Sequence, residues 1–360
     1  MKIVIFGLTI SSSWGNGHAT LWRGLLRALS RRGHSIAFFE KDVPYYASAR
    51  DLTNFAEGEL HIYPSWEMVK LTAREYVRKA DVAIISSYCP DALAASEMLL
   101  EARRVCKVFY DLDTPITLSR HVAGNPIEYI GPEGLKNYDL VLSFTGGKAL
   151  DELKAQLGAQ QIEVLYGHVD PEFYVVGEPV QNYRADLSYI GTFSADRQAK
   201  VEALFVEPAR QQPERRFVLA GAQYPSSFPW TPNIYFVRHV PPPQHSAFFS
   251  SCRTTLNVTR GPMASMGFCP SGRMFEAAAC AAAIISDSWV GIEGFFEPGK
   301  EIFTAVNPSE VIEILQLPDN DLKAVGEAGR QRVLSQHTSD HRAMHLEEIL
   351  SHVLATGSAN

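Results

Sequence analysis

Little in this chain points toward disulfides, membranes or nucleic acid. Cysteine is scarce, with 5 in 360 residues at Cys89, Cys106, Cys252, Cys269 and Cys280. The number is odd and no C-x-x-C pair occurs, which argues against a disulfide framework and against a zinc site. Small buried thiols in a reducing compartment are the expectation. No run approaches the ~20 apolar residues of a membrane helix. Residues 1–8 read as a first strand, not as a secretory leader with its basic start and cleavage site, so a cytoplasmic setting is expected. An excess of basic residues is also missing. The formal net charge is −7, and no nucleic-acid partner is expected on that ground. The dinucleotide fingerprint G-x-G-x-x-G is incomplete: after Gly15 and Gly17 the next position of the pattern is Thr20. A nicotinamide cofactor is thereby disfavoured.

What is present is a globular composition, 46% hydrophobic and 20% charged, in a chain long enough for two cores. Short apolar runs at 2–7, 35–40, 81–86, 105–110 and 140–144 alternate with helical segments such as 19–32. The series restarts with strands at 185–191, 216–220, 233–237, 254–258 and 283–287, and with helices at 196–212 and 274–282. Short buried strands separated by helices predict parallel sheets with helices on both faces. The expected layout is an N-terminal half over 1–170, a punctuated join near 168–182 and a C-terminal half over 183–335. Residues 336–360 close the chain, and their helix near 339–354 is expected, by fold analogy, to pack back across the join.

Three segments carry chemistry. The loop after the first strand reads Ser11-Ser12-Ser13-Trp14-Gly15-Asn16-Gly17-His18. Gly15, Asn16 and Gly17 allow close approach of a ligand, and the following helix offers free N–H groups. His18 is suited to act as a general base or as a donor to a sugar or phosphate; capping the helix is the plainer alternative. Trp14 is suited to stacking on a sugar face or to packing. Next, Asp111-Leu112-Asp113 follows a strand. Three readings stand: a D-x-D metal site on nucleotide phosphates, carboxylates orienting His18 or an acceptor hydroxyl, and turn or N-cap residues before Pro115. Gly146-Gly147-Lys148 marks another strand-to-helix loop, with Lys148 read as a solvated helix residue.

The third segment lies in the second half. Gly191 ends a strand and Arg197 opens the helix beyond it, a junction suited to a diphosphate. Asn257-Val258-Thr259-Arg260 leads to Ser271-Gly272-Arg273-Met274-Phe275-Glu276 at the start of an Ala-rich helix. Ser271 and Gly272 would offer N–H groups, Arg273 a forked cation, and Glu276, expected in the first helical turn, two acceptors for ribose hydroxyls. Arg260 joins this donor-binding set. Favourable placement at the positive helix end is the plainer reading of Glu276.

The runs NVTR, PSGRMFEAAAC and IISDSWVGIEGFFEPGKEI resemble the C-terminal domain of bacterial GT-B glycosyltransferases, most closely the CgeB-type group. The likeness extends through YIGTFSADRQAKVEALF, HVPPPQHSAFFSSCRTTLNVTR and RVLSQHTSDHRAMHLEEIL, and more loosely through SSSWGNGHATLWRGLLRAL, FYDLDTPITL and YDLVLSFTGGKAL. It implies an α/β GT-B fold, two Rossmann-like domains facing each other across a cleft. It implies a nucleotide-sugar donor held by the C-terminal domain, an acceptor held by the N-terminal one, and no catalytic metal or further cofactor. In similar retaining enzymes two glutamates stand eight positions apart. Glu276 matches the second, and the first would fall at Phe268, so it is absent here. The expected activity is transfer from a nucleotide diphosphate sugar to an acceptor hydroxyl, with a nucleotide-sugar epimerase or a non-catalytic binding protein as the alternatives.

Overall fold

The computed structural model describes residues 1–52 and 54–357, and the chain divides into two compact units. The first holds residues 1–166 and the chain from Ser339 onward. Its strands are β1 (Lys2–Gly7), β2 (Ser35–Lys41), β3 (Glu59–Tyr63), β4 (Val82–Ser86), β5 (Cys106–Asp111), β6 (Leu140–Ser143) and β7 (Ile162–Val164). They pair in parallel in the order β3-β2-β1-β4-β5-β6-β7. The central strands KIVIFG and VAIIS are apolar without alternation and buried on both faces, as a helix-covered parallel sheet requires. Phe6, Phe38, Phe39, Phe109 and Trp22 fill the interior.

The helix Ser339–Gly357 packs against the helix Gly17–Arg31 of the same unit. Asp340 pairs with Arg31 at 2.9 Å, and Glu347 accepts from both Arg32 and His34.

The second unit spans Gly167–Thr338. Its strands are β8 (Ala185–Ile190), β9 (Phe217–Ala220), β10 (Ile234–Val237), β11 (Cys252–Asn257), β12 (Ala283–Ser286) and β13 (Phe303–Thr304). All pair in parallel, in the order β10-β9-β8-β11-β12-β13. Leu187, Tyr189, Phe205, Phe217, Leu256 and Ile285 lie at the centre of its core. The segment after β8 winds as helix Ala195–Val201, a π-turn at Glu202–Val206 and helix Glu207–Gln211.

The expected strands form within a residue or two of their limits. Three further strands form where none was expected. β3, β7 and β13 are all edge strands, and most of their residues are partly exposed. An edge strand needs no continuous apolar run, so its sequence carries little signal. The helix expected over 274–282 instead spans Gly272–Ala279. Glu276 is therefore its fifth residue and lies in the second turn, a correction to the first-turn expectation.

Candidate active site

In an open parallel sheet, ligands bind beyond the carboxyl ends of the strands where strand order reverses. In the first sheet that point lies between β1 and β4; in the second it lies between β8 and β11. The candidate residues gather at these two places.

In the first unit, the loop after β1 is fixed by a buried carboxylate. Glu40, at the end of β2, accepts from the amides of Ile10 and Ser11 at 2.7 and 3.0 Å and from the Ser11 hydroxyl. Asn16 caps the helix Gly17–Arg31: its Oδ1 accepts from the His18 amide at 3.1 Å, and its Nδ2 donates to the Thr9 and Ser12 carbonyls. Its side chain is thus spent on the loop itself. Gly15 sits at φ +60°, and Gly17 faces open space where a side chain would project. Trp14 is half-buried.

His18 stands in the first turn of that helix. Its Nε2 lies 3.5 Å from Asp113 Oδ2, and its Nδ1 is buried without a hydrogen-bond partner. The ring contacts Tyr88, with centroids 5.8 Å apart. Tyr88 follows β4 on the other side of the reversal and adopts φ +63°, a left-handed conformation rarely held by a bulky residue. No sequence signal marked Tyr88, since nothing in its neighbours announces the backbone angle.

The two aspartates separate into different roles. Asp113 faces His18. Asp111 is fully buried at the end of β5. Its Oδ1 accepts from the Asp113 amide and the Thr117 hydroxyl, both at 3.1 Å, and its Oδ2 has no partner. Burial pushes its carboxyl up to about 7, and the nearby Asp113 charge adds to this, against the pull of those hydrogen bonds. An acid so enclosed holds the loop through these two hydrogen bonds. Among the described residues no group of three or more His, Cys, Asp or Glu side chains is placed to hold a metal ion.

In the second unit, Asn257 at the end of β11 organises the site. Its Oδ1 accepts from Ser271 Oγ at 2.7 Å and from Arg273 Nη1 at 3.2 Å, and its Nδ2 donates to Ser286 Oγ at 3.0 Å. Ser271 has the extended backbone of an N-cap, yet its hydroxyl turns to Asn257 and leaves the first N–H groups of helix Gly272–Ala279 without a side-chain cap. Their partial positive charge faces outward. The sequence signal for Asn257 is its place at a strand end beside the reversal.

Arg197 and Arg273 converge over Gly191. A Cβ built on Gly191 would stand 2.8 Å from Arg273 Nη2 and 3.2 Å from Arg197 Nη2. Arg197 also donates to the Thr192 carbonyl. Both guanidinium groups lie near the Tyr189 ring, at 5.4 Å for Arg273 and 6.0 Å for Arg197. Among the described residues, neither is ion-paired with a carboxylate. Burial lowers the pKa of Arg273, and the adjacent Arg197 charge lowers it further. The Glu276 carboxylate opposes this in part, and two cations held together without a salt-bridge partner are suited to an anion.

The remaining expected residues fall around this pair. Glu276 Oε2 lies 4.0 Å from His245 Nδ1, and the imidazole is held at Nε2 by the Val240 carbonyl at 3.0 Å. Arg260 takes a different partner: its Nε donates to Asp196 at 2.8 Å. It is engaged with a carboxylate and so differs from Arg197 and Arg273. Asp287 fastens the loops beyond β11 and β12, accepting from the Thr259 amide at 2.8 Å and from Lys200 at 2.5 Å. Phe268, where the absent glutamate would stand, holds φ +46° and donates its amide to Val290 at 2.7 Å.

Residues 197–348 match the family model described as glycosyl transferase-like. The match covers most of the second unit and the start of the last helix. Solved structures agree on the fold across the whole chain. A sucrose-phosphate synthase from Thermosynechococcus elongatus is 14% identical, with TM-score 0.71 over 99% of this chain and 100% of that one. HepE from Anabaena, solved with UDP and glucose, is 12% identical, with TM-score 0.68 over 98% and 99%. An α-glucosyltransferase solved with UDP is 11% identical, with TM-score 0.69 over 98% and 100%. No curated protein matches the sequence. The fold is GT-B, and its class is α/β. No helix among the described residues is long and apolar enough to cross a membrane.

Proposed function

We propose that this chain is a glycosyltransferase that moves a sugar from a nucleotide diphosphate sugar to an acceptor hydroxyl, without help from a metal ion. The observation that carries this reading is the pair Arg197 and Arg273, unpaired and convergent beside the uncapped start of helix Gly272–Ala279. When the bond from the anomeric carbon to the diphosphate breaks, negative charge grows on the leaving diphosphate. Fixed cations and N–H dipoles placed there stabilise that charge with little reorganisation. Arginines thereby fill the role that a divalent cation takes in other transferases. Glu276, one turn further along the helix, supplies two acceptor oxygens for the ribose hydroxyls. In the first unit, His18 accepts the proton of the acceptor hydroxyl, and Asp113 steadies the imidazolium that results.

The net charge of −7 supports a small molecule, glycan or protein as acceptor over nucleic acid. An α-glucosyltransferase of this fold has nonetheless been solved with DNA, so duplex DNA belongs in the acceptor panel. The runs around PSGRMFEAAAC support the CgeB-type group.

A thermal-shift screen of nucleoside diphosphates and their sugars tests the donor site. UDP comes first, because HepE and the α-glucosyltransferase were solved with it. A ligand at ~100 times its Kd adds about 2.7 kcal/mol. Arg273→Ala and Glu276→Ala should each reduce the shift. If no nucleoside diphosphate stabilises the protein, or if both variants keep the full shift, the reading fails. Activity that EDTA abolishes and a divalent cation restores would remove its metal-independent part.

A further inference from the structure

We propose that the Tyr189 hydroxyl is the third donor of the anion site, giving a hydrogen bond to a diphosphate oxygen of the sugar donor. This rests on the donor site just described and adds to it a residue that otherwise reads as core.

Tyr189 is the penultimate residue of β8 and is fully buried. Its ring does the work of a core side chain, packed in the cluster with Leu187, Phe217 and Leu256 and 6.1 Å from the Phe205 ring. Phenylalanine would fill that space as well. The hydroxyl is what phenylalanine lacks, and here it is buried without a hydrogen-bond partner. Such a group is unfavourable in the unliganded protein, and buried polar groups without partners are few in native structures.

Its position supplies the reason. The hydroxyl oxygen lies 3.2 Å from the point where a Cβ on Gly191 would stand, the same point that Arg273 Nη2 and Arg197 Nη2 approach. A phenol and two guanidinium groups thus meet at one place, and all three can donate. The Gly191 carbonyl accepts from Tyr224 Oη at 3.0 Å. Glycine at 191 keeps the meeting place free of side-chain atoms. An acceptor that matches three donors, two of them charged, is an anionic oxygen. A neutral sugar hydroxyl would leave the two cations uncompensated.

The experiment compares the full-length protein with its Tyr189→Phe and Arg273→Ala variants, probing each with UDP, UDP-glucose and inorganic pyrophosphate. The melting temperature without ligand should be unchanged or higher in Tyr189→Phe, because the variant removes an unpaired hydroxyl and keeps the ring. Its Kd for UDP should rise roughly 10- to 100-fold, the scale of one hydrogen bond to a charged group, and pyrophosphate should weaken with it. Wild-type affinity for UDP in Tyr189→Phe, alongside loss in Arg273→Ala, overturns the role of Tyr189 and leaves the donor site standing. A loss confined to UDP-glucose also overturns it, since the hydroxyl would then serve the sugar. So does a clear fall in the melting temperature without ligand, which would reveal a structural partner. If the wild type binds none of the three probes, the donor site itself is misplaced and this inference goes with it.

Discussion

Arg197 and Arg273 bring their Nη2 atoms to within 3.2 and 2.8 Å of a single point over Gly191. Two like charges so placed repel each other, and burial adds a desolvation cost. The Glu276 carboxylate offsets the Arg273 charge only in part, and among the described residues neither arginine forms a salt bridge with a carboxylate. The arrangement is therefore costly without ligand and favourable with an anion present. Binding sites commonly give up stability in this way.

Gly191→Ala tests that geometry with one methyl group. The backbone there lies outside the left-handed region, so alanine is conformationally acceptable. The new methyl would meet the far end of Arg273, a flexible side chain that can swing aside. The melting temperature should stay within a few degrees of wild type. The Kd for UDP should rise at least about tenfold, as one charged hydrogen bond is misplaced. Isothermal titration against UDP measures it; unchanged affinity would show that the arginines do not act at that point.

Arg273→Lys separates charge from shape. Lysine keeps a cation but loses the forked donor set that reaches both Asn257 and the point over Gly191. UDP affinity should fall between that of wild type and Arg273→Ala. Salt titration of binding should show a slope close to wild type for lysine and a shallower one for alanine, because screening acts on the charge. Equal loss in the two variants would mean that the fork, and not the charge, carries the binding.

His18 and Asp113 should separate from the donor site in kinetics. His18→Ala should fold, bind UDP as wild type does and lose about 10²- to 10⁴-fold in turnover, the usual worth of a positioned acid or base. Asp113→Asn should lose less, because it removes a supporting charge 3.5 Å away and leaves the imidazole. Near-normal turnover in His18→Ala with any accepted substrate would end its proposed role. Tyr88→Ala offers a companion measurement, since Tyr88 packs on the His18 ring from a left-handed backbone.

The proposed donor site is more legible in the sequence than the network around His18. Gly191, Arg197, Ser271 and Arg273 sit at strand ends and helix starts, and those junctions show as a change from an apolar run to glycine and polar residues. Tyr189 was hidden by its own strand, because a tyrosine inside an apolar run looks like core and its ring is core. Arg260 looked equivalent to Arg273, and only three-dimensional placement beside Asp196 distinguishes them. Asp111 and Asp113 are two residues apart and chemically identical. The strand carries the first into the interior and releases the second toward His18. Edge strands β3, β7 and β13 escaped because half-exposed strands need no hydrophobic pattern.

Asp111 predicts a pH dependence of stability with a definite sign. Its carboxyl is raised from the ordinary 3.8 to about 7 by burial. The folded chain therefore holds this proton over a range in which the unfolded chain has released it. Stability from this group is fully present below about pH 4, falls as pH rises and levels off above about pH 7. Asp111→Asn mimics the protonated acid, keeping the acceptor for the Asp113 amide and the Thr117 hydroxyl. It should remove this dependence. The variant should match wild type near pH 4 and exceed it by about 1–4 kcal/mol at pH 8, on the scale of 1.36 kcal/mol per pKa unit. Urea unfolding at pH 4, 6 and 8 measures the gap. A gap that is constant with pH would show Asp111 to be ionised throughout, and one that opens toward acid would show its carboxylate to be stabilised by a partner.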